Sequence, residues 1–288
     1  MGTSTSSSGP GSGVSFDPPW LDDVFPLVQP PADEGPNIGN AETDDNQTEE
    51  PTNITDNPVV VPNVAMRARF GAARRNLGNY IGTGSTTDLR KALGHYSNRG
   101  MGGATRLSKR MRASTAAGAG LYDLLRSVRN PSDTQIREWV QFLTNQDLSA
   151  HEIANEIIQQ IVPEGGSTEE ESCRNAMADA LSELIAENPA IDLLHMDDNS
   201  IWSVIEKFIS NQAFNRLNLD IGQVFENANY SPREVVQRIN SMKEYLNSEI
   251  SAQLQGLRGN NNALSRQEMS QILQEAIRLT FAVFEGEL

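Results

Sequence analysis

The chain has 288 residues, enough for one or two domains at roughly 100–200 residues each, a net charge of −15 and 38% hydrophobic residues. One cysteine, Cys173, excludes an internal disulfide and fits a reducing compartment. No apolar run approaches the roughly 18 residues of a membrane span, and no basic n-region with an apolar h-region opens the chain, so the sequence predicts a cytoplasmic protein without a membrane role.

The charge is laid out in blocks. Residues 1–60 carry 11 acidic and no basic residues, and residues 61–115 carry 11 basic residues against Asp88 alone. Residues 116–288 carry 12 basic and 26 acidic residues. These blocks suggest an acidic tail (1–60), a basic Gly-rich segment with short helices (61–115) and an acidic helical domain (116–288).

The tail opens MGTSTSSSGPGSG, too poor in apolar surface to offset the entropy of ordering, and the sequence predicts that it is disordered. Two apolar islands interrupt it, Phe16-Asp-Pro18-Pro19-Trp20-Leu21 and Val24-Phe25-Pro26-Leu27-Val28. Their aromatic side chains on a proline-stiffened backbone suit either folding back onto the body or anchoring in a partner's groove. Val59-Val60-Val61 before Pro62 reads as a short extended strand.

In the basic segment, Thr86-Thr87-Asp88 supplies an N-cap for a helix carrying Leu89, Ala92, Leu93 and Tyr96. Its many glycines point to close backbone approach or tight turns. Arg74, Arg75 and their neighbours, interleaved with Phe70, Tyr80 and Tyr96, suit nucleic-acid backbones and stacked bases. They suit equally an acidic partner or the chain's own acidic blocks. Protein contact is the favoured reading, because the rest of the chain repels phosphate.

From about Ala116 the periodicity is helical throughout. Leu121, Leu124, Leu125 and Val128 form one stripe; Ser132 caps a helix with Ile136, Trp139, Val140 and Leu143 on one face. Ser149 with Glu152, and Ser265 with Glu268, are capping boxes. Ser167 or Thr168 opens a helix whose first turn holds three glutamates, where the helix dipole favours negative charge. Asp198 or Asn199 opens the next, and Pro232 after Ser231 sits at a first helical position. The fold class expected is all-α: a C-terminal helical bundle preceded by the basic segment and the tail.

The sequence carries no pattern of an autonomous enzyme. The histidines at 95, 151 and 195 lie far apart in sequence and outside any metal-binding spacing, and no Walker A or G-x-S-x-G motif is present. No cofactor, metal or catalytic residue is expected, and Cys173 reads as a structural cysteine.

The first residues have chemistry of another kind. Removal of Met1 leaves Gly2 with an α-amine of pKa about 7.7–8.0, partly neutral and nucleophilic near neutral pH. Thr3 and Ser4 are small and uncharged, and Gly9-Pro10-Gly11 gives bends before the aromatic anchors. Such a peptide is a good acyl acceptor. The start also fits the loose N-myristoylation pattern M-G-x-x-x-[ST].

MGTSTSSSGPGSG, DPPWLDD, RFGAARRNLGNYIG, DLRKALGHY and GMGGATRLSKRM together resemble the QatB family, a component of the bacterial Qat anti-phage defence system. The resemblance runs through residues 1–23 and 67–125. It implies neighbours that include an ATPase, a QueC-like enzyme and a TatD-like nuclease, and a non-enzymatic role in binding the QueC-like partner. It further implies Gly2 as a modification site, by deazaguanine conjugation or by processing. Thr3, Ser4, Gly9, Pro10, Gly11, Phe16, Pro18, Pro19, Trp20, Arg74 and Arg75 are then the partner-binding residues. The alternative is a nucleic-acid-binding adaptor that uses the Arg-rich segment.

Overall fold

A computed structural model describes residues 69–163, 166–226, 230–258 and 264–288. The tail, its two apolar islands and the Val59–Val61 strand lie outside the described residues. Within them the chain is all-α, with no strand.

The helices follow in order as α1 (Gly71–Thr83), α2 (Thr86–His95), α3 (Ala104–Arg110), α4 (Arg112–Arg129), α5 (Thr134–Asn145), α6 (Ala150–Ile161), α7 (Thr168–Glu187), α8 (Asp198–Ile221), α9 (Pro232–Arg258) and α10 (Arg266–Gly286). A π-helical turn, Tyr96–Gly100, extends α2, and a 3₁₀ turn, Gly222–Glu226, follows α8.

Local chemistry sets most boundaries. Both serine–glutamate capping boxes form, at α6 and α10, and a third forms at α7 between Ser167 and Glu170. Ser231 and Glu234 exchange the same pair of bonds at α9. Three caps fall beside the residues the sequence suggests: Ser85 rather than Thr86–Asp88 caps α2 and Asp197 rather than Asp198 or Asn199 caps α8, both upstream, while Asp133 rather than Ser132 caps α5, one position downstream. In each case the extended residue that immediately precedes the first helical turn offers its side-chain oxygen to a first-turn N–H.

One hydrophobic core runs from Phe70 to Phe284. Trp202, Tyr96, Tyr122, Phe208, Phe281 and Phe284 are its largest fully buried side chains. The α10 helix packs against α2, α3, α4 and α9, while α8 packs against α4, α7 and α9. The change of charge at residues 115/116 falls inside α4, and the basic helices share this core with the acidic ones.

The glycines of the basic segment act as their number suggests. Gly100 lets the edge of Phe70 reach the backbone, and Gly102 (φ 79°) and Gly103 (φ 104°) make the turn into α3. On α5 the expected apolar face is only partly used: Leu143 is buried, Ile136, Trp139 and Val140 are half-buried, and Phe142 is exposed.

Candidate functional site

The basic segment divides into an inward and an outward set. Phe70 stacks on Tyr96 at 5.6 Å between centroids, and both rings are buried, as is Tyr80. The aromatics that suggested a stacking surface for bases are therefore core residues. Tyr96 donates its hydroxyl to Asp220 Oδ2 at 2.8 Å, and Arg216 Nε lies 3.2 Å from the same oxygen. Burial, reinforced by the Asp220 charge, pushes the Tyr96 phenol well above its usual range. Burial opposes the charge on Arg216, but Asp220, Tyr96 and Glu169 outweigh it and raise its pKa.

Arg74 belongs to the inward set. Its Nη2 donates to the Asp220 carbonyl at 2.9 Å, and its guanidinium lies 5.9 Å from the Phe70 ring centre. Arg90 is spent likewise: Nε donates to the Tyr245 hydroxyl at 2.8 Å, and Nη1 pairs with Glu287 at 3.0 Å. Arg110 donates toward Met101 Sδ at 3.9 Å.

Arg75 is the outward neighbour. It is exposed, as are Lys91, Arg99, Arg106 and Arg112, and none of these five forms an ion pair with a described residue. Elsewhere cations do find carboxylates: Arg129 pairs with Asp198 at 2.7 Å and Lys207 with Glu187 at 2.7 Å. Arg75 on α1, Arg99 on the π turn and Arg106 on α3 are thus exposed cations of a cationic corner, with no ion pair to a described residue. Of the sequence-derived partner residues the structure describes Arg74 and Arg75; Gly2, Thr3, Ser4, Gly9, Pro10, Gly11, Phe16, Pro18, Pro19 and Trp20 lie outside the described residues.

Cys173 is buried on α7, with its thiol 3.9 Å from the Ser114 hydroxyl. Burial pushes it up to about 11, so the helix N-terminus does not activate it. His95 is held below its usual value by burial and by Arg99 and Lys91. His151 is exposed, and His195 Nδ1 sits 2.7 Å from Asp192 on the surface. Among the described residues no three His, Cys, Asp or Glu side chains gather as metal ligands, and no helix is long and apolar enough to cross a membrane.

Sequence reasoning missed a groove of about 610 Å³ between α7 and α8, lined by Thr168, Ser172, Asn175 and Asp179 on one side and Asn215, Asn218 and Leu219 on the other. The signal was present as asparagines inside helices, where their propensity is poor, but pairing them needs the α7–α8 contact.

No curated protein and no solved structure matches the chain. A family model described as the Qat anti-phage system associated protein QatB matches residues 102–284, from the turn before α3 almost to the end of α10. The match covers more than half of the chain and nearly all of its acidic helical body, and on that ground the chain belongs to the QatB family of the Qat anti-phage system.

Proposed function

We propose that within the Qat system this chain is a non-enzymatic docking and substrate component for the QueC-like enzyme. The helical body supplies the docking surface. The segment from Gly2 through Phe16 and Trp20 enters the enzyme, and the Gly2 amine is the acceptor for a deazaguanine acyl group. QueC enzymes activate a 7-deazaguanine carboxylate with ATP; attack of the Gly2 amine on that acyl-adenylate forms an amide, with release of AMP and loss of the amine proton.

The observation that carries the docking half is the outward set of arginines. Exposed guanidiniums that form no ion pair with a described residue favour an acidic protein surface as their partner. The nucleic-acid alternative keeps the same cations but loses its stacking rings, since Phe70, Tyr80 and Tyr96 are buried.

The test is the intact and N-terminal peptide mass of the protein expressed alone and beside the QueC-like enzyme. A deazaguanine-sized addition on Gly2 that requires the enzyme is the expected result. An unmodified Gly2 in a stable complex leaves docking without conjugation, a shortened N-terminus means processing, and absence of any complex overturns the reading.

A further inference from the structure

The groove between α7 and α8 has a lining that the reading above does not use. Thr168 to Asp179 is eleven residues along α7, so the groove runs for about 16 Å at 1.5 Å rise per residue. At Thr168, Ser172 and Leu219 it meets a smaller cavity of about 180 Å³, lined in addition by Met111, Gln212 and Arg216. The cavity wall is fixed: Gln212 is buried, donates Nε2 to the Ser172 carbonyl at 2.7 Å and accepts from the Ser114 hydroxyl at 3.1 Å.

Three side-chain amides face this groove, Asn175, Asn215 and Asn218, and none of them bonds another described residue. Asparagine is a poor helix former, because its side chain competes for backbone groups. Three of them at interior positions of two adjoining helices, all on one groove and all without a partner among the described residues, cost helical stability without recovering it there. Each amide offers both a donor and an acceptor, the pair that a peptide group requires. Leu219, 66% exposed, stands where the two cavities meet and gives an apolar contact.

The charges in the groove narrow the ligand. Glu171 is met by Arg174 at 3.6 Å, whereas Asp179 has no ion pair with a described residue. Carboxylates in the lining disfavour a phosphate-bearing ligand and favour a cation.

We infer that the α7–α8 groove binds an extended peptide segment of another Qat component, its main chain on Asn175, Asn215 and Asn218 and a lysine or arginine side chain over Asp179. About five residues in extended conformation, at roughly 3.3 Å each, span the groove. One side chain of the segment enters the smaller cavity beside Leu219. Of the functional reading the inference takes only family membership, and it stands whether or not Gly2 is modified.

The experiment uses the full chain against an array of short overlapping peptides covering the other Qat components. The expected result is one cluster of overlapping basic peptides that the wild type retains. Asn215→Ala with Asn218→Ala weakens that binding by about tenfold, while the thermal midpoint holds or rises because alanine is the better helix former. Asp179→Lys loses the same peptides, and a peptide with its basic residue replaced by glutamate regains binding to D179K. Glu138→Lys, exposed on α5 and outside the groove lining, leaves peptide retention unchanged. An array with no retained peptide, or retention indifferent to the groove substitutions, overturns the inference.

Discussion

Gly94 of α2 faces the carbonyl oxygen of Phe284 on α10 so closely that a Cβ on Gly94 would overlap it. The contact fixes how near the two helices run. Around it Ser97 donates to Glu285 at 2.5 Å and Arg90 pairs with Glu287 at 3.0 Å. Gly94→Ala forces α10 away and is expected to cost about 1–3 kcal/mol, as overpacking does. A urea or thermal denaturation series checks it, and an unchanged midpoint would mean that α10 yields at no cost.

Adjacent arginines separate structure from docking. Arg74→Ala removes the bond to the Asp220 carbonyl and the guanidinium over the Phe70 ring, and is expected to lower stability by about 1–2 kcal/mol. Arg75→Glu changes stability by less than about 0.5 kcal/mol, as surface substitutions do, yet weakens capture of the QueC-like enzyme in a pull-down. Equal loss of binding in an intact R75E fold and in wild type at high salt supports an electrostatic contact. Binding indifferent to both removes the cationic corner from the interface.

The buried thiol gives a pH signature. Cys173 is raised from 9.0 to about 11 by burial, so its neutral form is favoured in the fold. The contribution is complete below pH 9 and is lost as pH rises toward 11, because the unfolded chain ionises first. Wild type should therefore lose its stability advantage over Cys173→Ala across that window. A disulfide reagent at pH 8 should react slowly with native protein and at once after denaturation; fast native reaction would place the thiol at the surface.

Asn211 on α8 keeps its Nδ2 buried without a hydrogen-bond partner among the described residues, and so does Asn247 on α9 its Oδ1. Cross-helix contacts pair Glu206 with Ser251 at 3.0 Å and Phe214 with Lys243 at 4.9 Å, a register that sets Asn247 opposite Ser210 and beside Asn211. Asn211→Leu removes a desolvated donor with the same count of side-chain heavy atoms and is expected to raise stability by about 1 kcal/mol. A fall in the denaturation midpoint would show that the amide is satisfied in solution.

Periodicity and caps made most of the fold readable in advance. Ser149 with Glu152 and Ser265 with Glu268 are local signals, complete within four residues, and they close as expected. Ser85, Asp133 and Asp197 are not legible as the caps because adjacent polar residues offer equal local chemistry, and backbone conformation chooses between them. The site was less readable. Arg74 and Arg75 are equivalent as letters, and only the position of Asp220, 146 residues away, turns one inward. The α7–α8 groove joins Asn175 to Asn215 and Asn218 across a helix pair, a relation that no window of sequence contains.

The closure of α10 over α2 also orders events during synthesis. Partners such as Ser97 and Glu285 lie 188 residues apart, and Arg90 and Glu287 lie 197 apart. A ribosome at about 5–20 residues per second spends on the order of ten seconds or more between translating the two halves of each pair. For that interval α1–α3 are on hand with the apolar faces of Leu89, Leu93 and Tyr96 unmet by Phe281 and Phe284. The nascent chain therefore carries this apolar face of its basic segment uncovered until its last helix arrives.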